Sequence, residues 1–299
     1  MNFFKRISDA VIYSNLYISL AAALLVIETN LIYDFTNTGY NLAFFVFFST
    51  LATYNFQRLV RYNIPRIDSS ESHNWIAANA KTLVFFTVFS ILLSIGIYFL
   101  RLQLNLLLVV LPVGVISICY VIDLRNYGLK IPQLRAIPYI KIILISIVWS
   151  TVTVFFAILN EEHLSEILTV DVMLTFLQRM LFIFAITLPF DIRDMKYDKK
   201  LNLKTIPLYY GVEKTKKIAT IALFCFSGMV IIQYFSGNKL EFIETVALLF
   251  SAAITDFVIT KTHEKQKEYF YSFIMDGTLI LQFLLVLIAD NIQTFAYDG

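Results

Sequence analysis

The chain has 299 residues, of which 58% are apolar and only 15% are charged, and its formal net charge is +2. Soluble domains are usually about 45–50% apolar and about 25% charged, so this composition excludes a soluble enzyme, a nucleic-acid-binding protein and a disordered protein. Nine membrane helices of ~20 residues each would take up almost the whole apolar fraction. The composition therefore predicts an all-α polytopic membrane protein in which residues 1–299 form a single integral membrane domain.

Nine apolar stretches follow one another along the chain, and each is long enough to cross a bilayer as a helix. In lipid such runs become helices because every backbone N–H and C=O group must be satisfied within the segment. The first stretch is too long for a signal peptide, so we interpret it as an uncleaved helix. The nine stretches are Ala10–Tyr33, Tyr40–Tyr62, Thr82–Leu100, Leu104–Ile122, Ile137–Leu159, Val172–Phe190, Ile218–Phe235, Phe242–Thr260 and Tyr271–Asp290.

Basic residues are distributed unevenly between the two sides that these stretches define. With the N-terminus inside, 21 of the 24 Lys and Arg residues lie on the inner side, Arg101 and Lys239 lie outside, and Arg179 lies within a stretch. Cytoplasmic loops of membrane proteins carry such an excess of Lys and Arg. We therefore expect a multi-pass protein of the plasma (inner) membrane, with the N-terminus and the polar loops in the cytoplasm and the C-terminus outside.

Two charged residues within the stretches leave alternatives open. Arg179 lies seven residues into the sixth stretch, about 10 Å at 1.5 Å per residue. It either extends towards the outer surface or faces the bundle interior as a functional group, and we expect the former. Asp276, near the inner end of the ninth stretch, either pairs with Lys261 or lines the mouth of an inner cavity.

The segment after the sixth stretch contains three carboxylates at helical spacing, Asp191, Asp194 and Asp198. Positions i, i+3 and i+7 lie on one face of a helix. Carboxylates held together repel one another unless a cation neutralises them, and Mg²⁺ commonly bridges carboxylates to substrate phosphates. The downstream Lys204 is placed to contact a phosphate. The simpler interpretation is an inner loop whose acids balance its bases.

The loops also indicate an internal duplication. The second stretch ends in a polar cluster that begins at Asn55, and the sixth ends in the cluster that begins at Asp191. Four spans separate the two clusters, and both face inwards. This spacing predicts two four-helix halves followed by a ninth helix.

The second cluster resembles the second signature of the UbiA superfamily of intramembrane prenyltransferases. The resemblance covers nearly the whole chain in layout and is motif-specific only around Asp191–Gly211, with weaker similarity at Tyr120 and at Tyr139-Ile140-Lys141. The residues that carry it are Asp191-x-x-Asp194-x-x-x-Asp198, then Lys204-Thr205-x-Pro207, then Tyr209-Tyr210-Gly211.

This resemblance implies a UbiA-like helical bundle that transfers a prenyl group from a polyprenyl diphosphate to a lipophilic acceptor, either an aromatic or quinone-type molecule or a lipid. It also implies Mg²⁺ as cofactor, bound by Asp191, Asp194 and Asp198, which become the expected catalytic residues. Lys141 and Lys204 are expected to contact the diphosphate. Membrane lipids are the other expected partners, and no nucleic-acid or protein partner is predicted.

The first signature of the superfamily, Asn-Asp-x-x-Asp-x-x-x-Asp, is degenerate in this chain. Aligned on Asn55, the carboxylate positions are occupied by Phe56, Leu59 and Asn63. Asp68 is out of register, because Pro65 interrupts the helix before it. One of the two metal-binding segments is therefore missing from the sequence.

Three interpretations of this change stay open. In the first, Asn55, Arg58 and Arg61 bind the diphosphate directly, since arginine matches phosphate geometry with paired hydrogen bonds. A single Mg²⁺ then binds at Asp191, Asp194 and Asp198. In the second, the protein is a non-catalytic lipid- or isoprenoid-binding member of the same fold. In the third, the two arginines are ordinary interfacial anchors. A transporter is a weaker alternative, because the polar clusters lie at the ends of the spans and not near the midplane.

Overall fold

The computed structural model describes residues 3–35, 39–62, 71–130, 132–137, 139–161, 164–200, 203–236 and 239–298. Within these ranges every regular element is helical. Two of these elements, Thr151–Phe155 and Phe270–Met275, are π-helical. The α-helices are α1 Phe3–Tyr13, α2 Leu16–Ile32, α3 Gly39–Tyr62, α4 Glu71–Arg101, α5 Leu107–Cys119, α6 Ile140–Ser150, α7 Phe156–Glu161, α8 Val170–Lys200, α9 Ile206–Tyr210, α10 Val212–Ser236, α11 Phe242–Thr260 and α12 Asp276–Asp298.

The all-α membrane class is confirmed, while the count of nine spans stays a prediction. Among the described residues, six helical segments are long and apolar enough to cross a membrane, and a bent helix pair makes a seventh. α5 is shorter than a bilayer-spanning helix, and α3 does not meet the same measure of length and composition. The six segments are Ser72–Arg101, Ile140–Glu161, Val170–Lys200, Val212–Ser236, Phe242–Thr260 and Phe270–Phe295.

The first predicted stretch is two helices and not one. α1 and α2 meet at 61°, and Asn15 at the junction has a φ of +64° in the left-handed region. Asn adopts this conformation more readily than most residues, because its short polar side chain finds local hydrogen bonds. Here the Asn15 side chain donates to Oδ1 of Asn55 on α3 at 2.7 Å. The bend is therefore fixed by a contact that the hydropathy pattern does not reveal.

The helices enclose a space inside the bundle. α2 packs against α3 and α12, and α3 also packs against α4. The order continues from α12 through α11 and α10 to α8, and α8 packs against α6. The π-helical segment Thr151–Phe155 closes the ring against α2, where the Thr29 hydroxyl donates to the Thr153 carbonyl at 2.8 Å. Outward faces carry large apolar side chains such as Phe89 and Phe224, as expected for a surface in contact with lipid.

The expectation that Arg179 extends to the membrane surface is wrong. Its side chain is only 4% exposed and forms an ion pair of 2.7 Å with Glu28 on α2. A charge inside a bilayer must be paired or reach water. Glu28 supplies the pairing carboxylate within the bundle, so Arg179 faces inwards.

Candidate active site

A cavity of about 370 Å³ lies inside the bundle, within the usual range for ligand pockets. Along α3 its wall runs from Phe45 to Arg61, which is about 24 Å at 1.5 Å per residue. Along α6 and α7 it runs from Lys141 to Phe156. Most of the wall is apolar, and the charged side chains are gathered at one end. We call this end the basic end.

The basic end is built from five elements, which come from four separate regions of the sequence. α3 supplies two arginines, the segment before α6 supplies one, α6 supplies a lysine, and α8 and α12 supply the rest. Among the described residues that line this end, the cations outnumber the carboxylates by two. The cations are Arg58, Arg61, Arg135, Lys141 and Arg193, and the carboxylates are Asp191, Asp194 and Asp276.

Asp191 is paired with Lys141 across the gap between α8 and α6. The ammonium Nζ donates to Oδ1 of the carboxylate, which is buried. Lys141 lies in the first turn of α6, and the preceding Tyr139 adopts a left-handed conformation with a φ of +62°. The Tyr139 N–H donates to the Lys204 carbonyl at 3.4 Å. This contact joins the start of α6 to the segment after α8, so Lys204 lines a small adjoining recess together with Lys141 and Asp191.

Asp194 is paired with its neighbour Arg193. Nε and Nη2 of the guanidinium donate to the two carboxylate oxygens at 2.8 and 3.2 Å. The guanidinium also lies over the rings of Phe190 and Tyr271, at 5.1 and 5.5 Å from their centroids. Cation–π contacts of this kind are favourable, so Arg193 is held in place independently of any ligand.

Asp198 is not part of the cavity wall. It is 1% exposed, and its Oδ2 has no hydrogen-bond partner among the described residues. The charges that act on it include those of Lys141 and Arg135. The helical face predicted from the spacing therefore exists, but its three carboxylates have different surroundings.

These residues, as placed, do not fit a magnesium ion. The part of the chain that the structure describes contains no group of three His, Cys, Asp or Glu side chains suited to holding a metal. Asp191 and Asp194 each already bind a side-chain cation, so the donor oxygens expected for Mg²⁺ are directed at Lys141 and Arg193.

The degenerate first signature contributes two arginines to the basic end. Nη1 of Arg58 donates to the Tyr13 carbonyl at the α1–α2 junction, and Nε of Arg61 donates to the Gln57 carbonyl at 3.2 Å. Asn55 is buried behind the wall, where it accepts the hydrogen bond from Asn15. Asn63, Pro65 and Asp68 lie outside the described residues.

Several wall residues were not identified from the sequence. Asn15, Gln57, Arg135 and Arg193 all line the cavity, and Arg193 stands between two of the predicted catalytic aspartates. In the sequence, Arg135 and Arg193 counted only towards the excess of basic residues on the predicted cytoplasmic side. Asp276 does line the cavity, which decides between the two alternatives stated for it.

The described helices thus form a membrane-type bundle around a long, mostly apolar cavity with one basic end. Residues 76–275 match the model of the UbiA prenyltransferase family, and the chain belongs to that family. The matched region begins after the degenerate first signature and includes Asp191, Asp194 and Asp198. No curated protein matches the chain in sequence.

Solved structures with the same fold support this assignment. The apo structure of a UbiA homologue from Aeropyrum pernix K1 has a TM-score of 0.66 and 15% identity, with 91% of this chain and 94% of that chain covered. A UbiA homologue from Archaeoglobus fulgidus, bound to GPP and Mg²⁺, has a TM-score of 0.65 and 12% identity, with 94% and 99% covered. A structure described as digeranylgeranylglyceryl phosphate synthase has a TM-score of 0.59 and 14% identity, with 96% and 97% covered. At these identities the likeness concerns the fold.

Proposed function

We propose that the protein transfers a prenyl group from an isoprenoid diphosphate to a lipophilic acceptor within the membrane. The observation that carries the proposal is the cavity itself, whose basic end and apolar body match the charged head and hydrocarbon tail of such a donor. Structures of a homologue bound to GPP or DMAPP with Mg²⁺ support this class of donor. The acceptor is aromatic, quinone-type or a lipid.

The diphosphate head binds at the basic end. Arg58 and Arg61 provide planar guanidinium groups that donate paired hydrogen bonds to phosphate oxygens, and Lys141 adds a point charge. Lys204 approaches the same region through the adjoining recess. Asn55 supports this arrangement through Asn15, because its hydrogen bond holds the α1–α2 junction whose Tyr13 carbonyl orients Arg58.

Transfer begins when the allylic C–O bond to the diphosphate breaks. The bonding electron pair leaves with the diphosphate, and the surrounding cations stabilise its growing negative charge. The allylic cation forms beside aromatic rings of the wall, including Tyr54, Trp149 and Phe190, whose faces favour positive charge. The indole N–H of Trp149 donates to the Tyr54 hydroxyl at 3.0 Å. The acceptor then attacks the cation and loses a proton, which the released diphosphate accepts. The apolar wall keeps water from attacking the cation first.

A magnesium ion, when bound in this family, supplies positive charge next to the diphosphate. The prediction that Asp191, Asp194 and Asp198 hold such an ion in this chain requires Lys141 and Arg193 to release the first two carboxylates. Because the residues as placed do not fit the ion, no step above depends on it.

Turnover by the purified full-length protein in lipid nanodiscs tests the proposal. The protein is incubated with radiolabelled geranyl, farnesyl or geranylgeranyl diphosphate and a membrane-lipid extract, and organic-soluble product and released inorganic diphosphate are measured. We expect both from wild type and neither from the Arg58→Gln/Arg61→Gln variant. Arg101→Gln is the matched control, since this exposed arginine ends α4.

The alternative is an isoprenoid-binding protein without transfer chemistry. It is favoured by one observation, the loss of all carboxylates from the described part of the first signature. In that case the donor binds at the basic end and is recovered intact.

The predicted orientation, with the basic end towards the cytoplasm, is tested by labelling single cysteines in intact cells.

A further inference from the structure

We infer that the basic end binds a prenyl diphosphate with side-chain cations alone, so that binding of the head needs no divalent metal ion. Lys141 and Arg193 supply the positive charge next to Asp191 and Asp194 that a metal ion would otherwise supply. The inference rests on the proposed function for the identity of the donor. What it adds is the identity of the groups that neutralise the diphosphate.

The carboxylates Asp191 and Asp194 are already neutralised by side-chain cations. Asp191 has a side-chain exposure of 2% and accepts from Lys141, and both oxygens of Asp194 accept from Arg193. A metal ion binding there would have to displace Lys141 from a carboxylate that is 2% exposed and Arg193 from one that is 34% exposed. A partly buried charge that loses its partner is strongly destabilised, so displacement opposes metal binding.

The first signature carries positive charge in this chain where the family pattern has negative charge. Phe56 and Leu59 occupy carboxylate positions, and Arg58 and Arg61 extend into the cavity from the same helix turns. Divalent cations and arginines in one small space repel each other. Among the described residues that line the basic end there are two more cations than carboxylates, which suits a bound anion of two or more negative charges.

The cations of the basic end are held in position before any ligand binds. Arg193 lies over two aromatic rings, Arg58 donates to the Tyr13 carbonyl, and Arg61 donates to the Gln57 carbonyl of its own helix. Preorganised donors around a developing or bound negative charge avoid the cost of rearrangement. The arrangement is therefore complete without a further cation.

The test is calorimetric binding of geranyl S-thiolodiphosphate, an analogue whose C–S bond resists ionisation, to the purified full-length protein in nanodiscs. Titrations are made in EDTA and in Mg²⁺, with Mg²⁺ alone as a third titration. We expect Kd values in EDTA and in Mg²⁺ that agree within about threefold, and no heat from Mg²⁺ alone. Binding that disappears in EDTA and returns with Mg²⁺ overturns the inference while leaving the proposed function intact. If the analogue does not bind under either condition, the proposed function fails and the inference fails with it.

Variants distinguish the two ways of neutralising the diphosphate. Arg58→Gln and Arg61→Gln should each weaken binding in EDTA by roughly 10- to 100-fold, the range for hydrogen bonds to charged groups. Asp194→Asn should strengthen binding in EDTA, because it releases Arg193 towards the ligand. A metal ligand at Asp194 would instead make that variant lose binding. Thermal melting of each variant, with Arg101→Gln as control, shows that the comparison is made on folded protein.

Discussion

Arg179 on α8 and Glu28 on α2 form an ion pair of 2.7 Å deep inside the helical bundle, with exposures of 4% and 1%. Nη1 of Arg179 also donates to Gln282 on α12 at 3.1 Å, so one side chain joins three helices. Neither member of the pair lines the cavity. The pair therefore contributes to how the helices are assembled and not to the contact with substrate.

Removing one member of this pair should destabilise the protein. Arg179→Met leaves the Glu28 carboxylate buried without its partner, which costs about 3–5 kcal/mol. The double variant Arg179→Met/Glu28→Leu removes both charges and should recover much of the loss. Thermal melting in detergent measures the effect. Equal stability of wild type and the single variant would contradict this account of the pair.

The left-handed residue at the α1–α2 junction gives a second prediction. Asn15→Ala loses the hydrogen bond to Asn55 and also places a strained residue at positive φ, a conformation that costs L-residues about 1–2 kcal/mol. Asn15→Gly loses the same hydrogen bond but accepts the conformation. We expect the alanine variant to be less stable than the glycine variant by that amount. Equal melting temperatures of the two variants would show that the left-handed conformation of Asn15 does not contribute to stability.

The apolar end of the cavity gives a third prediction, on the length of the prenyl chain. Phe45 and Phe156 lie at the end of the cavity wall farthest from Arg61 and Lys141. Phe156→Ala should raise the ratio of kcat/KM for geranylgeranyl over geranyl diphosphate at least about tenfold, because pocket space for even one methylene is worth about 1–3 kcal/mol. Phe224→Ala, on the outward face of α10, is the matched control. An unchanged ratio would mean that the chain terminus lies elsewhere.

The Lys141–Asp191 pair gives a fourth prediction. Lys141→Met removes a cation of the basic end and leaves a buried carboxylate, so both donor binding and stability should fall. In Lys141→Met/Asp191→Asn the carboxylate is neutralised, so stability should return while donor binding stays weak. Melting and calorimetry on the same samples separate the two effects. Recovery of binding in the double variant would show that Lys141 acts only as the partner of Asp191.

Sequence patterns predicted the helices better than the contacts between them. Length and hydropathy are local properties, and lipid forces long apolar runs into helices, so the all-α class followed directly. The partner of Arg179 lies 151 positions away, and nothing in the local pattern connects it to Glu28. Likewise, the bend at Asn15 depends on Asn55, which the sequence assigned to the diphosphate.

The candidate site was predicted only in part, because its pairings also depend on contacts between helices that are distant in sequence. Helical spacing places Asp191, Asp194 and Asp198 on one helix end, and Arg58 and Arg61 do line the cavity. Spacing cannot show that α6 brings Lys141 to Asp191, or that Arg193 turns towards Asp194 and not towards solvent. Those pairings decide which charges a ligand meets, and they arise only from the packing of separate helices.

A structure of the full-length protein with geranyl S-thiolodiphosphate shows directly whether the basic end binds the diphosphate head of the donor. The account predicts the diphosphate within hydrogen-bond distance of Arg58 and Arg61, with the geranyl chain extending along the cavity towards Phe45 and Phe156. A diphosphate bound outside the cavity, or a prenyl chain directed away from these phenylalanines, would contradict it.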